Sequence, residues 1–458
     1  MSHNIQGNLE ALATGKISRL LWDYSIPAVV GMLVMSLFNV VDRIFIGQGV
    51  GPEAIAGLAI TFPVMNVSSA LGVLIGAGAS ARVSILLGAK NQRGAELTLG
   101  NSLVIIVINA AIYITCMAVW LDDILRAFGA SDVSLPYARD YMSWMLPGMF
   151  IMNIAFTFNN IMRSSGYPLK AMYFMFAAAG INLVLDPIFI FVMDWGIQGA
   201  AAATVLSMSV FALLVMRHFC LRASTLHFQH GIYRLRWRIV AGIISIGAAP
   251  ALVNLAGSAI NVLINRALYD YGSDNAVAAA GIFTTYTSLL IMAVVGICQG
   301  MQPIVGYNYG AGLMHRLRRT FWLTVTCGTV ICTLGSVFGM LFAPWIARAF
   351  TVDDTLISVT ADAFRHALWA FWMVGFQVVA TTFFQSIDKA AKSILLSLLR
   401  QVIFLIPLLL LLPSMMGLNG VWTSFPVSDC CATAASALMI VWQLRHLTSR
   451  ESTEPQRA

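Results

Sequence analysis

Charge is what this chain has least of. Only 10% of its 458 residues are Asp, Glu, Lys or Arg, against roughly 25% in a soluble domain, which excludes an ordinary globular protein. Cysteine is sparse too. The seven (Cys116, Cys220, Cys298, Cys327, Cys332, Cys430 and Cys431) form no CxxC pair and lie mainly in apolar runs. They read as small apolar packing residues rather than as a redox or metal centre. No Walker A loop or other nucleotide-binding signature occurs, which argues against an ATP-driven pump. No nucleophile–base–acid constellation stands outside the apolar runs, so an enzyme is not expected, nor is a cofactor. The residues before the first apolar run are polar and include Lys16 and Arg19. That run is too long for a signal-peptide h-region, so it stays as a membrane anchor.

What is abundant is hydrophobicity, at 59%. Twelve apolar segments are long enough to span a bilayer at about 20 residues each. They lie near 20–47, 54–81, 97–121, 137–162, 169–193, 197–217, 239–267, 275–303, 320–344, 362–386, 393–413 and 419–444. The expected fold class is an all-α integral membrane protein. With the N-terminus inside, 20 of the 27 Lys and Arg fall in inner segments, six lie on the outer side and Arg400 is intramembrane. The net charge of +7 is thus a topology signal and not a nucleic-acid footprint, and it puts both termini inside.

The chain repeats itself. SIPAVVGMLVMSLFNVVDR (25–43) aligns with GAAPALVNLAGSAINVLINR (247–266), setting Pro27 over Pro250 and Asp42-Arg43 over Asn265-Arg266. EAIAGLAI (53–60) matches NAVAAAGI (275–282), LLGAK (86–90) matches NYGAG (308–312), and GIQGAA (196–201) matches GLNGVW (417–422). Six spans return the chain to its starting side, so the halves are parallel repeats about an axis along the membrane normal. The expected organisation is a six-helix bundle over 1–216, a basic linker over 217–238, a second six-helix bundle over 239–445 and a tail over 446–458. The linker reads first as a topology-setting cytoplasmic connector; contact of Arg234, Arg236, Trp237 and Arg238 with anionic lipid is the sharper alternative.

The chemistry concentrates in the first half. Asp42 sits about 8 Å from the outer end of span 1, and Asp186 and Thr204 each about 10 Å from the outer ends of spans 5 and 6. Asn182 is one turn below Asp186, on the same helix face. Two carboxylates, an amide and a hydroxyl at one level suit a hard cation such as Na⁺, or a proton held between the carboxylates. Pro187 frees the carbonyl of Leu183, and Pro27 frees that of Asp23 and makes span 1 bendable at its inner end.

These features resemble the multidrug and toxic compound extrusion (MATE) family: the duplicated twelve-span layout, the Pro27…Asp42 helix, Asn182-x3-Asp186-Pro187 and Thr204. The resemblance covers residues 17 to 445. It implies two six-helix bundles around a central cavity, and antiport of drugs against H⁺ or Na⁺. It also implies that Asp42, Asn182, Asp186 and Thr204 bind the coupling ion, with Pro27 and Pro187 as hinges. Such a transporter belongs in a plasma membrane, here the bacterial inner membrane. Its partners are small-molecule drugs, chiefly organic cations, and membrane lipids, and the chain is expected to act as a monomer. The alternative is a lipid-linked oligosaccharide flippase of the same superfamily, which needs cationic side chains in its cavity to neutralise a pyrophosphate.

The second half departs from this pattern: Asn265 replaces Asp42, and VIFLIP (402–407) replaces the Asn-Asp-Pro motif. Asn254, Ser258, Asn261 and Asn265 form one polar face suited to a hydrated cavity wall. Met32, Met35, Met65, Asn153 and Phe156 in the first half, and Phe283, Tyr286, Trp369, Phe376 and Gln377 in the second, are candidate cavity linings. Soft Met and flat aromatic surfaces suit planar cations. Asp429 and Arg400 sit at similar depth and are expected to pair.

Overall fold

The computed structural model describes residues 10–50, 52–221 and 224–451. The side chains of Arg43 and Ser258 lie outside the described residues, as does most of the 446–458 tail. The described chain is helical, with no strand. In order come α1 (Ile17–Gly49), α2 (Pro52–Gly88), α3 (Gln92–Ala127), α4 (Leu135–Ser164), α5 (Pro168–Pro187), α6 (Gly196–Cys220) and α7 (Trp237–Tyr271). Then follow α8 (Asp274–Gly310), α9 (Met314–Leu341), α10 (Asp354–Ala367), α11 (Trp372–Ser386), α12 (Ala390–Leu398), α13 (Ile406–Met416) and α14 (Leu418–Glu451).

Eleven crossings are straightforward, each long and apolar enough for a bilayer, with α12 and α13 forming one of them. The twelfth is α10 with α11, bent by 58° at a short break. The sequence suggested one continuous span over 362–386. The chain instead turns at Leu368–Phe371, where Ser336 of α9 donates a hydrogen bond to the Leu368 carbonyl. A neighbouring hydroxyl thus satisfies backbone that the break would leave bare in lipid, which is how a bilayer tolerates such a break.

Two π-helical turns accompany prolines. One, Ile188–Val192, follows Pro187 directly, and the other, Leu399–Leu405, ends just before Pro407. Proline has no N–H, so the regular bonding ladder is interrupted around it, and a wider turn sits beside each of these two prolines.

By internal contacts the chain divides into two units whose boundaries fall inside helices. One is built from Val30–Ala251, and the other from Lys16–Val29 with Leu252 onward. The N-terminal end of α1 therefore packs with the second repeat, and the N-terminal end of α7 with the first. Glycine makes both placements possible. In the second unit, Gly296 and Gly300 of α8, spaced as GxxxG, lie against Val29 and Ser25, and Ser25 Oγ donates to the Ile297 carbonyl at 3.3 Å. In the first unit, Gly78 of α2 meets the Ile243 carbonyl, and Gly247 of α7 meets Leu74. A side chain at any of these glycines would strike backbone, so close helix approach requires their absence of Cβ.

Elsewhere in the first unit, α2 and α4 form a seam of small residues. Gly72 abuts Asn153, Gly76 abuts Thr157, and Ser80 Oγ and Ser164 Oγ share a hydrogen bond at 2.6 Å.

Over its described length the linker packs against the first unit. Asn101 of α3 donates from Nδ2 to the carbonyls of Ile232 and Arg234, both at 3.2 Å, and its Oδ1 accepts from the Arg236 amide at 2.9 Å. Gln229 donates to the buried Glu96 at 3.0 Å, and Phe228 packs among Phe158, Phe219 and Tyr233. Leu226 and Ile232 are fully buried. Its alternating apolar residues cap the first unit, while Trp237 and Arg236 stay exposed.

Candidate functional site

The α1 helix runs alongside α5 in the first unit. Gly31 meets Met175, Phe45 meets the Phe191 ring edge-on at 6.1 Å, and Gly49 meets Ile190. This register sets Asp42 beside Asp186. The two carboxyl groups are near enough to interact. Asn182 Nδ2 donates to Asp186 Oδ1 at 3.1 Å and reaches Thr204 Oγ1 of α6 at 3.4 Å. Asp186 is fully buried, Asn182, Thr204 and Asp42 nearly so.

The four residues that the sequence set at one depth are thus one cluster. A π turn, Ile188–Val192, follows Asp186-Pro187 directly, a feature the sequence reading missed although the Asp-Pro step was its signal. Two carboxylates at close range repel unless a proton or cation lies between them. Asn182 Oδ1 and Asp186 Oδ2 accept no hydrogen bond from a described donor. The cluster therefore offers oxygen acceptors to a proton or a hard cation, and among the described residues no group of three or more His, Cys, Asp or Glu suggests a transition-metal site.

The MatE family model matches this chain twice, over residues 27–188 and 250–411. Each match opens on one of the two aligned prolines, Pro27 and Pro250. The chain belongs to the MatE family.

A relative in Shewanella oneidensis, named an FAD transporter, is 28% identical over 91% of this chain and 93% of its own length. The multidrug export protein MepA of Staphylococcus aureus is 24% identical over 96% of each chain. Among solved structures, a MATE transporter in its bent conformation superposes with a TM-score of 0.92 at 26% identity, covering 97% of this chain and 99% of its own. An outward-facing multidrug resistance MATE transporter of the MOP superfamily gives 0.89 at 26% identity, with 96% and 98% covered. This MatE chain is accordingly a multi-pass membrane transporter.

The second unit of the MatE fold holds a different polar centre. Arg400 Nε donates to Asp429 Oδ1 at 2.6 Å, and Ser428 Oγ donates to the Arg400 carbonyl at 2.7 Å. Gln377 Nε2 donates to the Asp429 carbonyl and to Thr433 Oγ1, each at 2.6 Å. Arg400 sits in the π turn before Pro407, which the sequence reading also missed.

The candidate linings separate into groups. Phe283 does not line a cavity: it is buried among Phe364, Trp422 and Phe425, because the second unit fills that level with rings. Tyr286 is tied down likewise, its hydroxyl donating to the Gly335 carbonyl at 2.6 Å. Gln377 is buried as a bracket for Asp429. Asn153 packs into the α2–α4 seam, where it reaches Ser68 at 3.4 Å, and half-buried Phe156 stands edge-on to Phe211 at 5.8 Å. Met32, Met35, Met65 and Phe376 are half-buried. Asn254, Asn261 and Asn265 are all exposed on α7, and Trp369 is exposed at the α10–α11 break.

Proposed function

We propose that this MatE transporter exports amphipathic organic cations in exchange for protons or sodium ions, with Asp42, Asn182, Asp186 and Thr204 as the coupling-ion site. The observation that carries the reading is the close approach of two buried carboxylates inside a membrane-spanning unit. Helix–helix hydrogen bonds in a bilayer contribute only about 0.6–2 kcal/mol, too little to account for retaining two carboxylates there as glue. A proton or Na⁺ entering between them relieves their repulsion and draws α1 onto α5; its departure lets α1 move away. Pro27 and Pro187 lie on these two helices, where backbone weakened by a missing N–H can bend.

Supporting the export of organic cations are the name of the MepA relative and the uncharged polar face of α7. Exposed Asn254, Asn261 and Asn265 would be costly against lipid and suit a water-filled wall. The charge asymmetry of the loops supports cytoplasmic termini in a bacterial inner membrane, and the chain would act as a monomer. A flippase is disfavoured because the intramembrane Arg400 is already engaged by Asp429.

A second reading takes its cue from the FAD transporter of Shewanella oneidensis: export of an anionic dinucleotide. Arg82 favours it, since its Nε is buried with no hydrogen-bond partner among the described residues. Proteoliposomes under separately imposed proton and sodium gradients, loaded with ethidium or with FAD, decide between them. Ethidium export that Asp42→Asn and Asp186→Asn abolish, with membrane insertion intact, is the expected result. Export retained in either variant removes the coupling role, and FAD export without ethidium export moves the assignment to the second reading.

A further inference from the structure

The second unit carries a groove of about 660 Å³ at the N-terminal end of α9. Its floor is one face of that helix, His315, Arg318, Arg319 and Trp322, with Ser18 of α1 opposite. The other face of α9, with Leu317, Phe321 and Val325, is buried in the unit. The groove therefore opens away from the interior of its unit.

Its electrostatics are unbalanced. Arg316 has a partner, donating to Asn308 Oδ1 at 3.1 Å. Neither Arg318 nor Arg319 has a carboxylate within ion-pair distance among the described residues. Arg316, Arg318 and Arg319 stand in the first two turns of a helix with no acidic residue in its first turn and no side-chain cap. Positive charge there is set against the helix dipole, a local cost that an anion in the groove would remove.

Depth points to the source of that anion. Trp322 lies eight residues into α9 from Met314, about 12 Å, where an indole sits at the boundary between headgroups and acyl chains. Trp322 is 46% exposed. Beyond it the groove continues along Leu323 and Thr326. Along the helix the cationic residues come first, then the amphipathic indole, then Leu323 and Thr326, whose hydroxyl is taken up by the Trp322 carbonyl, which matches an anionic glycerophospholipid from phosphate to glycerol to the start of its chains. A groove facing a bilayer is filled by lipid in any case, so the arginines act as selectors.

We propose that this groove is a binding site for an anionic glycerophospholipid, with the headgroup phosphate held by Arg318, Arg319 and Ser18 and the glycerol backbone against Trp322.

The test uses the full chain in detergent, given equal amounts of dioleoyl phosphatidylglycerol and dioleoyl phosphatidylcholine, with retained lipid counted by native mass spectrometry. The wild type should retain phosphatidylglycerol preferentially. R318Q and R319Q should each lower that preference about fivefold and the double variant about 30-fold, at the strength of an arginine near an anionic surface. R348Q, in the short helix Ala343–Arg348 that follows α9, should leave it unchanged, and lipid-free melting temperatures should match the wild type. An unchanged preference in the double variant overturns the site. If it fails to fold, the single variants carry the same comparison. Inorganic phosphate that displaces the lipid at millimolar concentration would assign the groove to a free anion and overturn the lipid as occupant.

Discussion

Arg400 and Asp429 form a charge-assisted hydrogen bond of 2.6 Å between the π turn before α13 and the middle of α14. The carboxylate is buried and the guanidinium about a quarter exposed. Removing one partner strands a charge, whereas removing both leaves an apolar contact. Arg400→Ala should lower stability by about 3 kcal/mol, and Arg400→Leu with Asp429→Leu should recover most of that loss. Detergent melting curves of the two variants check the difference. Equal melting temperatures for R400A and the wild type would rule the pair out as a stabilising element.

Asn182 holds Asp186 and Thr204 together without itself carrying charge. Asn182→Ala leaves both carboxylates in place but removes a hydrogen bond to a charged group, about 1.5–3 kcal/mol. Coupling-ion affinity should fall at least tenfold while maximal export at saturating ion survives. Transport measured against ion concentration separates this from the complete loss expected of Asp42→Asn.

Gly72 and Gly281 make a matched pair of alanine tests. A Cβ on Gly72 would strike Asn153, while one on Gly281 meets nothing within 4 Å. Gly72→Ala should cost about 1–3 kcal/mol through overpacking. Gly281→Ala should be neutral or gain up to about 1 kcal/mol from helix propensity. Thermal unfolding that ranks them in the opposite order would contradict the seam.

Asp353 caps α10, accepting from the Thr355 hydroxyl at 2.5 Å and from its backbone N–H at 2.9 Å. Those donors hold its carboxyl below the usual carboxylate range. A depressed folded value means that the stabilisation is complete above the ordinary pKa near 4 and disappears as pH falls through the folded value. Asp353→Ala should therefore destabilise at neutral pH and converge with the wild type in acid, while Asp353→Asn, still a good cap, should retain most of the stability. Melting temperature against pH for the three proteins provides the check.

Asn101 makes three side-chain hydrogen bonds to the linker backbone. Asn101→Ala should release that segment, so that trypsin cuts at Arg234 and Arg236 faster in the variant than in the wild type. Equal cleavage rates would mean that Phe228 and Ile232 suffice to hold it.

Much of this was legible in the chain because lipid enforces simple rules. Crossings need length and apolarity, so the spans stood out; carboxylates at matched depths came together because straight helices preserve depth. The readings that failed concern what helices do to one another. Nothing in the periodicity around Trp369 marks the α10–α11 break, which depends on Ser336 arriving from α9. The π turns depend on how Pro187 and Pro407 are accommodated, not on composition. Phe283 looked like a drug contact because an aromatic in a membrane helix reads the same whether it meets a ligand or three other rings. The linker's arginines drew attention from Leu226, Phe228 and Ile232, the residues that seat it.

The helix ends seated on Gly78 and Gly300 bear on how this chain could have arisen and how it must be made. A break in the 217–238 linker would yield two pieces, each lacking a helix end that its own unit needs and each carrying one that belongs to the other. Neither piece could complete its packing alone. The duplicated sequence thus describes two repeats that are no longer two modules, and their folding should be completed only when both have been synthesised.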